Sequence, residues 1–197
     1  MQSQIKQKLL TLSLATVASL SIPSQINAMG FTGAYDVGNF TLTNSPILGN
    51  GSVDTTNAAT GSIVLNGSDD PTNNPNIAVI TDFTITINSS RVGTVSFDWS
   101  YFTLDEPAGD DTAGYFVNSN FTPLAVGELQ SSIVTVSESL SLGDTFGFRV
   151  STSGNIGERG EFTVSNFHFV PVPFEFSPIF GLATLGALAV FKKIRKL

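Results

Sequence analysis

The stretch VGTVSFDWSYF, residues 92–102, alternates with a period of two. Val95, Phe97, Trp99 and Tyr101 fall on one side, and Thr94, Ser96, Asp98 and Ser100 on the other. Successive side chains of an extended chain point to opposite faces, so this segment buries one face and wets the other only as a β-strand. The pattern recurs in IAVITDFTITI (77–87), with Val79, Thr81, Phe83, Ile85 and Ile87 on one face, and in DTFGFRV (144–150), with Phe146, Phe148 and Val150. Further candidate strands cover 39–43, 61–67, 113–118, 131–140 and 161–169.

Between these runs lie NGS (50–52), NGSDDPTNNPN (66–76), EPAGDD (106–111), LGD (142–144) and SGNIGERG (153–160). Glycine, asparagine, aspartate and proline supply the φ values and local hydrogen bonds of turns. No segment of this region has helical periodicity. Short strands at such spacing predict an all-β fold, a jelly-roll-like antiparallel β-sandwich of about eight or nine strands. The chain has 197 residues, enough for one ordinary domain.

Both ends read as targeting segments. MQSQIKQK carries two lysines, LLTLSLATVASLSI is apolar, and PSQINA follows with a small residue at its end. That order predicts a secretory signal peptide over 1–28, cut by signal peptidase after Ala28. At the other end, an apolar run rich in small residues, from Ile179 to Phe191, precedes the basic cluster 192–197. At about 1.5 Å per helical residue this transmembrane helix is short, a weak anchor. Its lysines and arginine stay on the cytoplasmic side, which places residues 29–170 outside, in agreement with the N-terminal signal.

A short proline-containing motif, one apolar helix and a terminal basic cluster, in that order, resemble the PEP-CTERM sorting signals read by exosortases. The resemblance covers residues 171–197. Where the usual family has Val-Pro-Glu-Pro, this chain has Val172, Pro173, Phe174, Glu175, Phe176, Ser177 and Pro178, which looks like the PFEFSP variant of cyanobacterial members. The resemblance implies an exosortase as partner, a precursor held in the membrane by its tail, and a product at the cell surface or in the extracellular matrix. Residues 97–124 and 136–169, with AGY, GDTFGF and SNF, are also similar to the domain found ahead of many such tails. That similarity supports the fold and implies no particular chemistry.

Charge and residue types narrow the function. Fifteen of the sixteen acidic residues fall between Met29 and Pro173, against Arg91, Arg149 and Arg159 and no lysine, for a net charge of −12 over that region. Such a domain repels phosphate backbones, so nucleic acid is not an expected partner, whereas cations and neutral, hydroxyl-rich polymers are. The absence of cysteine removes disulfides, thiolate metal sites and cysteine nucleophiles. His168, the single histidine, stands in NFHF on the face opposite Phe167 and Phe169, with no second histidine to complete a metal or nucleophile constellation.

Carboxylates remain. Asp105, Glu106, Asp110 and Asp111 crowd one loop, which an exposed position keeps ionised and ordinary, so a catalytic pair is not expected. The better use for them is a calcium ion, which takes six to eight oxygen ligands, although the spacing does not match an EF-hand loop. For a sugar, Tyr101 and Tyr115 could offer aromatic platforms, with Asp98 and Asn118 bonding hydroxyls. Trp99 follows the inward register and is expected in the core. The expectation is an exported, non-catalytic structural or interaction sandwich sorted by an exosortase, the alternative being a carbohydrate-binding module, calcium-stabilised or not.

Overall fold

The computed structural model describes residues 28–70, 77–104, 111–126, 129–131, 134–154 and 159–172. The expected signal peptide up to residue 27, and the sorting motif, apolar helix and basic cluster from Pro173 onward, lie outside the described residues. Twelve strands form among the described residues: β1 (Ala28–Met29), β2 (Thr41–Ser45), β3 (Ser52–Asp54), β4 (Ile63–Asn66), β5 (Val79–Thr86), β6 (Gly93–Phe102), β7 (Thr112–Val117), β8 (Asn120–Val126), β9 (Gln130–Ser131), β10 (Val136–Leu140), β11 (Thr145–Thr152) and β12 (Glu161–Pro171). This exceeds the expected number because β1, β3 and β9 are pieces of two or three residues.

All pairing is antiparallel. One sheet runs β10-β6-β12-β4-β3, with β1 beside β12 and β9 beside β6; the other runs β2-β5-β11-β7-β8. The sheets meet through the faces that the alternation marks as apolar. Phe97 of β6 meets Phe148 of β11 edge to face, centroids 5.2 Å apart, and Tyr115 of β7 at 5.7 Å. Phe148 also meets Phe162 of β12 at 6.4 Å. Each buried aromatic ring removes about 150–250 Å² from water, and edge-to-face pairs add about 0.5–1.5 kcal/mol apiece. Two layers packed on one such core make a β-sandwich.

Two expected strands are displaced. The run expected at 39–43 begins later, at Thr41, because Val37–Asn39 forms a 3-10 turn whose Gly38 N–H donates to Asp36 Oδ1. Among the described residues of 131–140, Ser131 ends β9 and Val136–Leu140 forms a strand of five residues. β8, which contains Pro123, lies at a sheet edge, where a missing N–H breaks no ladder. β12 carries a bulge between Ser165 and His168, with Asn166 left-handed at φ 51°. The bulge allows both halves of the strand to face the core, through Val164 before it and Phe167 and Phe169 after it.

The two ends of the described chain leave the sandwich together. Ala28 pairs with Phe169, and the Val172 N–H donates to the Val92 carbonyl at 3.1 Å. The short turns at 118–119 and 141–144 share that end, while the strand ends at Ser45, Asn66, Phe102 and Thr152 lie at the other.

Candidate functional site

The expected sugar platforms are in the core. Tyr101 is 1% exposed and its hydroxyl end lies against the backbone of Gly160, where an added Cβ would stand 2.2 Å from it. Tyr115 is 7% exposed, edge-on to Phe97, and its hydroxyl donates to Glu138 Oε1 of β10. Neither ring offers a face to a ligand, which corrects the expectation for both. Burial, and then the Glu138 bond, push the Tyr115 hydroxyl above its ordinary range, so it stays protonated and holds β7 of one sheet to β10 of the other. The third tyrosine, Tyr35, is also buried, and its hydroxyl donates to the Arg91 carbonyl at 2.8 Å.

Asp98 and Asn118 are at the surface but far apart in role. Asp98 Oδ1 accepts from Thr135 Oγ1 at 2.6 Å and Oδ2 from Asn166 Nδ2 at 2.8 Å, which holds its carboxyl below the usual range. It pins the chain before β10 and the β12 bulge to the outer face of β6. Asn118, left-handed at φ 58°, closes the β7–β8 turn: its Oδ1 accepts from the Thr145 N–H and its Nδ2 donates to Asp144 Oδ1, both at 3.0 Å. The structure therefore places Tyr101, Tyr115, Asp98 and Asn118 in separate structural tasks. Trp99 is half-buried, its ring 6.2 Å from that of Phe162.

Of the expected calcium ligands, Asp105, Glu106 and Asp110 lie outside the described residues. Asp111 is buried, with Oδ1 accepting from the Ser153 N–H at 3.3 Å. Among the described residues no three carboxylate or histidine side chains cluster as metal ligands do. His168 is half-buried on the outer face of β12, opposite Ser96, as the alternation requires. No helix among the described residues is long and apolar enough to cross a membrane.

The outer face of the β2-β5-β11-β7-β8 sheet carries a cluster that the sequence reading did not single out. Register sets Asp82 of β5 beside Arg149 of β11, and Arg149 beside Gly114 of β7. The neighbouring row holds Thr84, Gly147, Phe116 and Phe121. Arg149 donates from Nε to Asp82 Oδ1 and from Nη2 to Oδ2, both at 2.7 Å, a bidentate pair with side chains 26% and 17% exposed. The bonds to Asp82 raise the guanidinium further above its ordinary range.

The Arg149 Cζ also lies 5.0 Å from the Phe116 ring centre and 5.4 Å from that of Phe121, within cation–π reach of both. Phe116 is only 6% exposed although it points away from the core, whereas Phe121 is half-buried. Gly147 makes the arrangement possible: a Cβ there would stand 2.8 Å from the Phe83 carbonyl oxygen and 2.9 Å from Phe116 Cζ. The ring lies across the strand where another residue would have a side chain.

No protein-family model and no curated protein sequence matches the chain. Among solved structures it is similar to the family 11 carbohydrate-binding module of the cellulosomal cellulase Lic26A-Cel5E of Clostridium thermocellum, at 9% identity over 75% of this chain and 95% of that one, TM-score 0.41. It is also similar to TmCBM61 in complex with β-1,4-galactotriose, at 11% identity over 73% and 94%, TM-score 0.38. A third is the enzymatically active domain of tailspike protein 4 of bacteriophage CBA120, at 16% identity over 74% of this chain and 21% of that one, TM-score 0.35. At these scores the likeness carries neither a site nor a ligand to this chain.

Proposed function

We propose that the chain is an exported, non-catalytic binding domain of jelly-roll type, displayed at the cell surface or in its matrix, where it holds extracellular polysaccharide. The observation that carries this reading is the outer face of the five-stranded sheet. It combines a half-buried phenylalanine with a fixed donor–acceptor pair, the combination of apolar ring and oriented polar groups that a hydroxyl-rich polymer requires. Delivery rests on the targeting segments: a signal peptide for export and a PEP-CTERM-like tail with the motif 173–178 for an exosortase. The sandwich suits that route, because both ends of the described chain leave it side by side.

The test is retention of the full chain, in a non-glycosidic detergent, on a panel of immobilised extracellular polysaccharides, with calcium and again with chelator. Saturable retention on at least one glycan class is expected. No retention on any glycan would overturn the binding reading, and loss under chelator would assign calcium a place in it.

A further inference from the structure

We propose that the outer face of the five-stranded sheet is the glycan site itself, and that its ligand is an uncharged polysaccharide laid over Phe121 and the Arg149–Asp82 pair. The inference rests on the polysaccharide reading above and adds the place and the class of sugar.

Three features of the face carry it. Phe121 is the ring of the cluster that keeps exposed surface, since Phe116 is almost covered, so the C–H face of a pyranose stacks there. Beside it, Arg149 spends two of the five guanidinium N–H groups on Asp82 and is held flat by that bidentate grip, which leaves oriented donors for ring hydroxyls. The Asp82 oxygens, 17% exposed as a side chain, are the matching acceptors.

Charge selects the class of sugar. Arg149, the cation of this cluster, is already neutralised by Asp82, and the domain around it carries a net charge of −12. A uronate or sulfate group would approach a negative field and meet a guanidinium whose charge Asp82 already balances. A neutral chain meets no such penalty and uses the pair as it stands.

The experiment measures affinity of the full chain for neutral polysaccharides and for uronic-acid or sulfated ones, in parallel with Phe121→Ala, Arg149→Lys and Phe102→Ala. Phe102 is an exposed phenylalanine on the outer face of the other sheet and reports general stickiness. Arg149→Lys keeps the charge and loses the planar fork, which makes it a second probe should Phe121→Ala weaken the edge strand. Melting temperature confirms that each variant is folded.

The expected result is retention on neutral glycans alone, about tenfold weaker in Phe121→Ala and in Arg149→Lys, and unchanged in Phe102→Ala. Neutral-glycan binding undiminished in both face variants would overturn the site and leave the polysaccharide reading standing. Preference for acidic glycans would overturn the uncharged ligand. Absence of binding by the wild-type chain would overturn the reading and the site together.

Discussion

Replacing Phe148 by alanine tests the packing of the two sheets most directly. Its ring is fully buried and lies against Phe31, Phe97, Phe146 and Phe162, which come from both sheets and from the segment after β1. Truncating a buried phenylalanine costs about 3–5 kcal/mol, as lost transfer energy plus the cavity left behind. Against a total stability of about 5–15 kcal/mol for a single domain, that is a large share. At roughly 2–4 °C per kcal/mol for a chain of this size, the melting temperature should fall by about 6–20 °C.

Trp99 gives the readout. It is the single tryptophan and half-buried, so its emission follows unfolding in a urea titration without a label. Phe102→Ala serves as the reference, because that side chain is exposed and its loss should move stability by no more than about 0.5 kcal/mol. A Phe148→Ala cost below about 1 kcal/mol, or one equal to that of Phe102→Ala, would mean that the sheets do not close on this ring. The sandwich would then be wrong.

Gly147→Ala should destabilise by about 1–3 kcal/mol, because its methyl group meets both the Phe83 carbonyl and the Phe116 ring; an unchanged urea midpoint would refute the close approach. Tyr115→Phe removes the cross-sheet bond to Glu138 and should cost about 1–3 kcal/mol in the same titration. Because burial raises the Tyr115 hydroxyl, its contribution is present below its unfolded value near pH 10 and lost as pH rises beyond it. Melting curves of the wild type should therefore fall more steeply above about pH 10 than those of the variant. Asp98, held below the usual carboxyl range by Thr135 and Asn166, contributes above its unfolded value of about 4 and loses that contribution as pH falls through its folded one. Asp98→Asn should flatten the acid side of the melting profile below about pH 5, and parallel profiles would count against the assignment.

The alternation that made the β-sandwich legible also carried the answer for Tyr101. The register that turns Trp99 inward turns Tyr101 inward too, so a platform role for it opposed the pattern it stood in. Tyr115 and Phe116 are adjacent aromatics on opposite faces, and sequence alone does not say which one the core takes. Arg149 faces outward in FGFRV by the same period of two. Its partner Asp82, however, lies 67 residues away and meets it only once the β5–β11 register is set. β8 was hidden by Pro123, which reads as a break until the strand is known to be an edge.

The position of β12 decides how the domain bears a pull. β12 is an interior strand, bonded to β6 on one side and to β4 and β1 on the other, and the chain beyond Val172 continues from its end. Tension entering from that side runs along the strand and loads its hydrogen bonds together, in shear, rather than one at a time as in peeling an edge. A domain tethered through this strand resists drag as a unit, and its mechanical weak points lie at the edges, β2, β3, β8 and β10, which the load does not reach first.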